Sequence, residues 1–180
     1  SRVYAIEPSP EMRAELARTC PRAEIVEGTI ATARPPGGAR LALLSHVLYH
    51  APDHKWGALV LRAARHLSRD GVLVVVLAAP DADSNRMLEY FGAPRFDLPA
   101  ALVETIRSNP ELDFTFSHRP NRVVTGSFDE TLEVARFLLC DRDEDAFSQP
   151  VTEAELQEYV RVRLWNEAEG SGGWQQDELY

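Results

Sequence analysis

An α/β fold, with a doubly wound, mainly parallel sheet and helices on both faces, is what this sequence predicts. Apolar runs alternate with helical patterns through residue 77, and two of those runs contain no polar residue. Such alternation implies right-handed crossovers and a parallel sheet, and wholly apolar runs mark strands covered on both faces. A third feature is an acid, Glu7, placed where the first run stops and a helix begins.

Val3-Tyr-Ala-Ile6 is that first run, and its β-branched and aromatic members favour a strand. Ser9 is placed to cap the helix amides and Pro10 to take the first helical position. The helix carries Met12 and Leu16 four residues apart, an apolar stripe toward a sheet, and ends before Pro21. Glu24-Ile-Val-Glu27 is a short strand closed by Gly28, and Pro35-Pro-Gly-Gly38 marks 31–40 as a surface loop. Leu41-Ala-Leu-Leu44 reads as a strand buried on both faces that ends on Ser45, with His46-Val-Leu-Tyr-His50 at its carboxyl end. From Asp53 as N-cap, Trp56, Leu59, Val60, Ala63 and Leu67 recur at helical spacing, with Trp56 as core. Gly71 ends that helix and Val72–Leu77 is the next strand.

Past Pro80 the pattern predicts helices over 83–91 and 98–107. Asp113–Ser117 alternates at period two and Arg122–Thr125 follows His118-Arg-Pro-Asn121, which predicts a hairpin whose Phe114 and Phe116 lid a pocket. Ser127 with Glu130, and Thr152 with Glu155, predict capping boxes that open helices over 128–140 and 153–167. Asp141–Asp145 is an acidic loop, Gly170–Gly173 a turn, and Trp174–Tyr180 the start of a strand. All 180 residues are expected to form one domain, with a core over 1–79 and lid helices, hairpin and C-terminal part over 80–180.

Composition narrows the function. The chain has 19 basic and 28 acidic residues, a net charge of -9, and no basic block, which argues against phosphate backbones and anionic membranes as partners. No apolar run approaches the ~20 residues of a membrane span. Cys20 and Cys140 are isolated, so neither a zinc site nor a disulfide framework is indicated and a cytoplasmic location is expected. His46, His50 and His54 are spaced by four, but Pro52 breaks any helix that would stack them, so no metal is expected.

In open α/β sheets the ligand crevice lies at the carboxyl ends of the strands, which places Glu7 to accept hydrogen bonds from a ribose diol. The alternative reading of Glu7 is a helix-start acid favoured by the dipole. His46 and His50 follow another strand end, where an imidazole suits proton transfer near neutral pH.

Three segments, in order, resemble a known family. Val3-Tyr-Ala-Ile-Glu-Pro-Ser-Pro-Glu-Met12 resembles the second strand, with its terminal acid, of the Rossmann-like class I S-adenosylmethionine-dependent methyltransferases. Leu43-Leu-Ser-His-Val-Leu-Tyr-His50 resembles their fourth strand and following loop, and Leu67-Ser-Arg-Asp-Gly-Val-Leu-Val-Val75 their turn into the fifth strand. Ser45-His-Val-Leu-Tyr-His50, with Trp56 six residues on, is most similar to the small-molecule methyltransferases that include histamine methyltransferase. The resemblance implies methyl transfer from S-adenosylmethionine to a small molecule. Glu7, Pro8, Met12, Gly28, Thr29, Ile30, Ser45 and His46 are then the candidates for holding the cofactor. His50 and His46 are the catalytic candidates, and Tyr49, His50 and Arg119 those for binding substrate.

The sequence also departs from the family. Its glycine-rich loop after a first strand has no counterpart, Gly37-Gly38 standing elsewhere. In the family that strand lies between those matched by Val3–Ile6 and Leu41–Ser45, so the resemblance implies an upstream segment, a partner chain or a rearranged pairing in its place, with a homodimer among the solutions. The alternative function is a methyltransferase-like binding or scaffold domain that no longer holds the cofactor.

Overall fold

The computed structural model describes residues 2–140, 146, 147 and 149–180; the expected acidic loop Asp141–Asp145 lies outside them. The chain is mixed α/β and separates into two compact units, Ser1–Leu43 with Lys55–Val74, and Leu44–His54 with Val75–Tyr180.

In the first unit, β1 (Val3–Glu7) pairs in parallel with β2 (Ala23–Glu27), Val3 opposite Ala23 and Glu7 opposite Glu27. Between them α1 (Pro10–Thr19) starts as its sequence dictates: Ser9 is extended at φ -74°, its hydroxyl accepts the Met12 amide at 3.2 Å, and Pro10 fills the first turn. The next strand, β3 (Ala39–Ser45), and the long β4 (Leu67–Ala78) are neighbours, and both continue into the second unit. Helix α2 (Trp56–Ala64) buries Trp56 completely, with Leu59 and Val60 beside it in the core.

Several expectations fail here for physical reasons. Asp53 does not cap α2; it opens a 3-10 turn, Asp53–Lys55, and Lys55 stands at the cap without a side-chain bond. Leu67 belongs to β4, not to the helix, and Gly71 lies within that strand. A Cβ on Gly71 would come 2.7 Å from the Ala39 carbonyl oxygen and 2.9 Å from Leu67 Cβ, so the glycine serves a close backbone approach and not a helix stop. Leu41–Leu44, expected to be buried on both faces, is not, Leu41 being 65% and Leu43 61% exposed; Val72–Leu77 buries Val76 and Leu77 at its carboxyl end but exposes Val72, and Val3 and Ile6 of β1 are exposed as well. Among the described residues β1 pairs with β2 alone and β3 with β4 alone, so each has an open edge. Helix α1 buries none of its residues, and the Met12 side of its predicted stripe faces solvent.

The second unit holds α3 (Asp83–Tyr90), α4 (Leu98–Ser108), α5 (Phe128–Leu139) and α6 (Glu153–Arg163). Its strands are β5 (His118–Arg119), β6 (Arg122–Thr125), β7 (Trp165–Asn166), β8 (Ser171–Gln175) and β9 (Glu178–Leu179). One sheet runs β3-β4-β9-β5 and another β6-β8-β7, and the pairings of β5 to β9 are antiparallel. The predicted hairpin does not form. Residues 113–117 are irregular, β5 pairs with β9, and β6 pairs with β8 over four residues, so both strands prefer distant partners to each other. Gly172 and Gly173 accordingly lie in β8, leaving the turn to Gly170 at φ +60°. Thr152 and Glu155 form the full capping box. At α5 the Ser127 hydroxyl accepts the Glu130 amide at 3.1 Å, but Glu130 reaches back to the Gly126 amide, one residue before the expected one. Helix α6 stops at Arg163, four residues short of expectation, because Trp165 and Asn166 pair with β8. The core of this unit packs Met87, Leu132, Ala135, Leu156, Tyr159, Val160, Leu164 and Trp174 together.

Candidate functional site

Two groups of residues, one in each unit, carry the features the sequence singled out. In the first unit, β1 delivers Glu7 to the turn into α1. The Ser9 amide donates to Glu7 Oε1 at 2.8 Å, so the half-buried carboxylate is pinned at the strand end, and among the described residues Oε2 has no donor. Arg13 fastens the same turn, donating to the Pro8 carbonyl at 2.6 Å and the Glu7 carbonyl at 3.3 Å. Across the parallel pair, the Gly28 amide meets the Glu7 carbonyl at 3.5 Å. Gly28 sits at φ +130°, and a Cβ there would stand 2.9 Å from Thr32 Oγ1 and 3.2 Å from the Ala33 amide, so both conformation and space demand glycine.

Thr29 and Ile30 are committed to local structure. The Thr29 hydroxyl lies 3.2 Å from Thr32 Oγ1 and accepts the Ala31 amide at 3.2 Å, and its carbonyl accepts Ala33 N–H at 2.8 Å. Ile30 gives its carbonyl to Arg62 Nε at 2.9 Å. Thr29 and Ile30 thus shape the turn beside Glu7.

In the second unit, Ser45 ends β3 and His46 follows it at φ +54°, a left-handed conformation that costs a non-glycine residue about 1–3 kcal/mol and clusters at functional sites. The His46 amide is anchored to the Val76 carbonyl at 2.9 Å. Its Nε2 stands 3.6 Å from Glu178 Oε1, an ion-pair separation longer than a hydrogen bond. Glu178 is held on both oxygens: Asn121 Nδ2 donates to Oε1 at 3.3 Å and the Tyr180 hydroxyl to Oε2 at 2.7 Å. Hydrogen bonding to that carboxylate raises the Tyr180 phenol above its ordinary range. One residue earlier, Asp177 accepts from the Gln175 side chain and from the Asn121 amide, and lies 3.3 Å from His118 Nε2. Those donors, Gln175 first, hold the Asp177 carboxyl below the usual range against its partial desolvation.

Tyr49 and His50 close the 3-10 turn after β3, Leu48–His50. Tyr49 accepts the Ala78 amide on its hydroxyl at 2.6 Å and packs its ring, tilted, 4.5 Å from that of Phe96, so its polar end braces the last residue of β4. His50 is exposed, with no side-chain partner among the described residues. Arg119 lies on β5 opposite Glu178. Glu7, Pro8, Met12, Gly28, Thr29 and Ile30 therefore belong to one unit, and Ser45, His46, Tyr49, His50 and Arg119 to the other. Glu178, Asn121, Asp177 and His118 were missed by sequence reasoning, because 57 residues separate Asn121 from Glu178 and no local pattern links them. No group of residues suited to holding a metal ion occurs among the described residues.

No protein-family model and no curated protein matches the chain. Solved structures do. An O-methyltransferase from neocarzinostatin biosynthesis, in complex with S-adenosyl-L-homocysteine and 1,4-dihydroxy-2-naphthoic acid, is 25% identical at a TM-score of 0.45, over 66% of this chain and 37% of its own. An S-adenosylmethionine-dependent methyltransferase from Thermotoga maritima, a possible histamine N-methyltransferase, is 22% identical at 0.46, over 68% and 58%. The [4+2]-cyclase SpnF is 15% identical at 0.46, over 98% and 66%. The chain thus spans between about a third and two thirds of the length of these structures.

Proposed function

We propose that this chain belongs to a methyltransferase that moves a methyl group from S-adenosylmethionine to a small-molecule acceptor. The observation that carries the reading is Glu7: a carboxylate at the carboxyl end of a parallel strand, pinned through one oxygen by the Ser9 amide and bordered by a glycine that admits no side chain. That arrangement suits a ribose diol, since a fixed carboxylate can take two hydroxyl donors without reorganising. Glu7 would hold the ribose, Gly28 would let the chain pass close, and Met12, half exposed on α1, would offer an apolar contact to adenine. The bound cofactor supplies an electrophilic methyl group, so the protein's task is alignment, with an imidazole to take the acceptor's proton where one is present.

Calorimetric titration of S-adenosyl-L-homocysteine into the purified chain tests the reading. Glu7→Ala is expected to weaken binding by about 1.5–3 kcal/mol, the range for hydrogen bonds to a charged group. Equal affinity in a folded variant would reduce Glu7 to a helix-start acid.

A second reading draws on the exposure of Leu41 and Leu43: a binding or scaffold domain whose uncovered strands take a partner. Absence of any heat with the cofactor product, together with a defined complex, would favour it.

A further inference from the structure

The polar cluster at the end of the β3-β4-β9 sheet contains more than a loop histidine needs. His46 follows the last residue of β3, Ala78 is the last residue of β4, and Glu178 stands opposite Ala78 at the start of β9, so imidazole and carboxylate meet at the carboxyl ends of two strands. Exposed ion pairs add little to stability, and one made for stability needs no further support. Glu178 nevertheless has each oxygen tied, to Asn121 and to Tyr180, and is the more buried member, its side chain 20% exposed against 41% for His46. His46 is also the one non-glycine residue at positive φ among the described residues. Backbone strain on the histidine and a doubly held carboxylate facing it are the features of an oriented base.

We propose that Glu178 is a positioning residue for His46, holding its ring with Nε2–H toward the carboxylate and the Nδ1 lone pair directed to a methyl acceptor that still carries its proton at neutral pH, a hydroxyl or a protonated amine. The inference rests on the methyl-transfer reading. The acceptor's proton passes to Nδ1, the imidazolium formed is balanced by the Glu178 carboxylate, and the electron pair freed on the acceptor bonds to the methyl carbon of a sulfonium donor. The pair of the broken carbon–sulfur bond stays on sulfur. Asn121 and Tyr180 act one step further out, fixing Glu178.

Two measurements on the full chain test it. The first is NMR relaxation of the His46 ring carbons. The ring is expected to be as ordered as rigid backbone, with an order parameter near ~0.85, and to fall below ~0.6 in Glu178→Ala while backbone spectra persist. A ring already disordered in the wild type, or unchanged by the substitution, overturns the proposal; Glu178→Gln supplies the comparison should the alanine variant fail to fold. The second is transfer of tritiated methyl from S-adenosylmethionine to a panel of phenols and primary amines. His46→Ala is expected to lower kcat about 100-fold and Glu178→Ala about 10-fold, with no further loss in the double variant. An acceptor already ionised, such as 4-nitrophenolate at pH 9, should be insensitive to both; equal losses there would make the role structural and overturn the proposal. A wild type that transfers to no acceptor while its His46 ring answers to Glu178 would remove the methyl-transfer reading and keep the pair.

Discussion

Gly172 shows how much one position can constrain. It lies in β8 against two buried threonines whose hydroxyls are 2.6 Å apart, and an added Cβ would meet Thr125 Oγ1 at 2.6 Å and Thr131 Cγ2 at 2.8 Å. Neither neighbour is the free end of a long side chain, so the strand must shift. Gly172→Ala is therefore expected to destabilise by about 1–3 kcal/mol or more, as overpacking does, and adding Thr131→Ala should recover part of the loss in urea unfolding. A neutral Gly172→Ala would show that the strand moves freely. Nothing in Gly170-Ser-Gly-Gly173 announces this, since a glycine-rich run reads as a turn unless its partner strand is known. The candidate site divides in the same way. Glu7, Ser9 and Gly28 were legible because capping and strand ends are local, whereas Glu178 was not, because its relation to His46 exists only across the sheet.

Among the elements, the helix starts set by local chemistry matched their sequence reading: α1 through Ser9 and Pro10, and α6 through Thr152 and Glu155; the Asp97 cap of α4, whose carboxylate accepts the Ala100 amide at 3.0 Å, is equally local but was not read. What distant partners decide did not match: β6 forms over the expected Arg122–Thr125 but pairs with β8, β5 pairs with β9, and the Leu67–Gly71 stretch joins a strand. The α5, α6 and β8 layer yields a pH prediction. Tyr159 on α6 packs among Tyr90 and Phe91, and burial first, then the Asp83 carboxylate, push its phenol from 10.0 up to about 12. Between those two values the unfolded chain loses a proton that the folded chain keeps, so stability is intact below pH ~10 and drains away as pH rises through ~12. By pH 11 the loss from this group is about 1.4 kcal/mol. Urea unfolding at pH 9 and pH 11 should show Tyr159→Phe losing less stability over that interval than the wild type by about this amount; identical losses would mean that the phenol reaches water.

For the molecule as a whole, the decisive fact is where its apolar strand residues point. Val3, Ile6, Leu41, Leu43 and Val72 are exposed, although covering a single side chain of this kind is worth about 1.5–3 kcal/mol. Both β1 and β3 also have an unpaired edge among the described residues, and Val3-Tyr-Ala-Ile6 carries neither the lysine nor the proline with which edge strands discourage association. A surface of this kind is a template for another strand, and two-fold pairing of identical chains is the commonest closed way to cover it. The expected outcome is a dimer, or a stable complex with a strand supplied by another polypeptide segment, in which the Val3–Ile6 amides that β2 does not bond exchange slowly. Light scattering of the purified chain across a concentration series, read beside hydrogen exchange of those amides, is the measurement. Ile6→Lys and Leu43→Lys, each placing a charge on this surface, should shift the chain toward monomer and speed the exchange. A wild-type monomer in which the Val3–Ile6 amides that β2 does not bond are strongly protected would defeat the argument, because the open edge would then be closed from within the chain, and a monomer in which they exchange fast would show that these strands tolerate water without a partner.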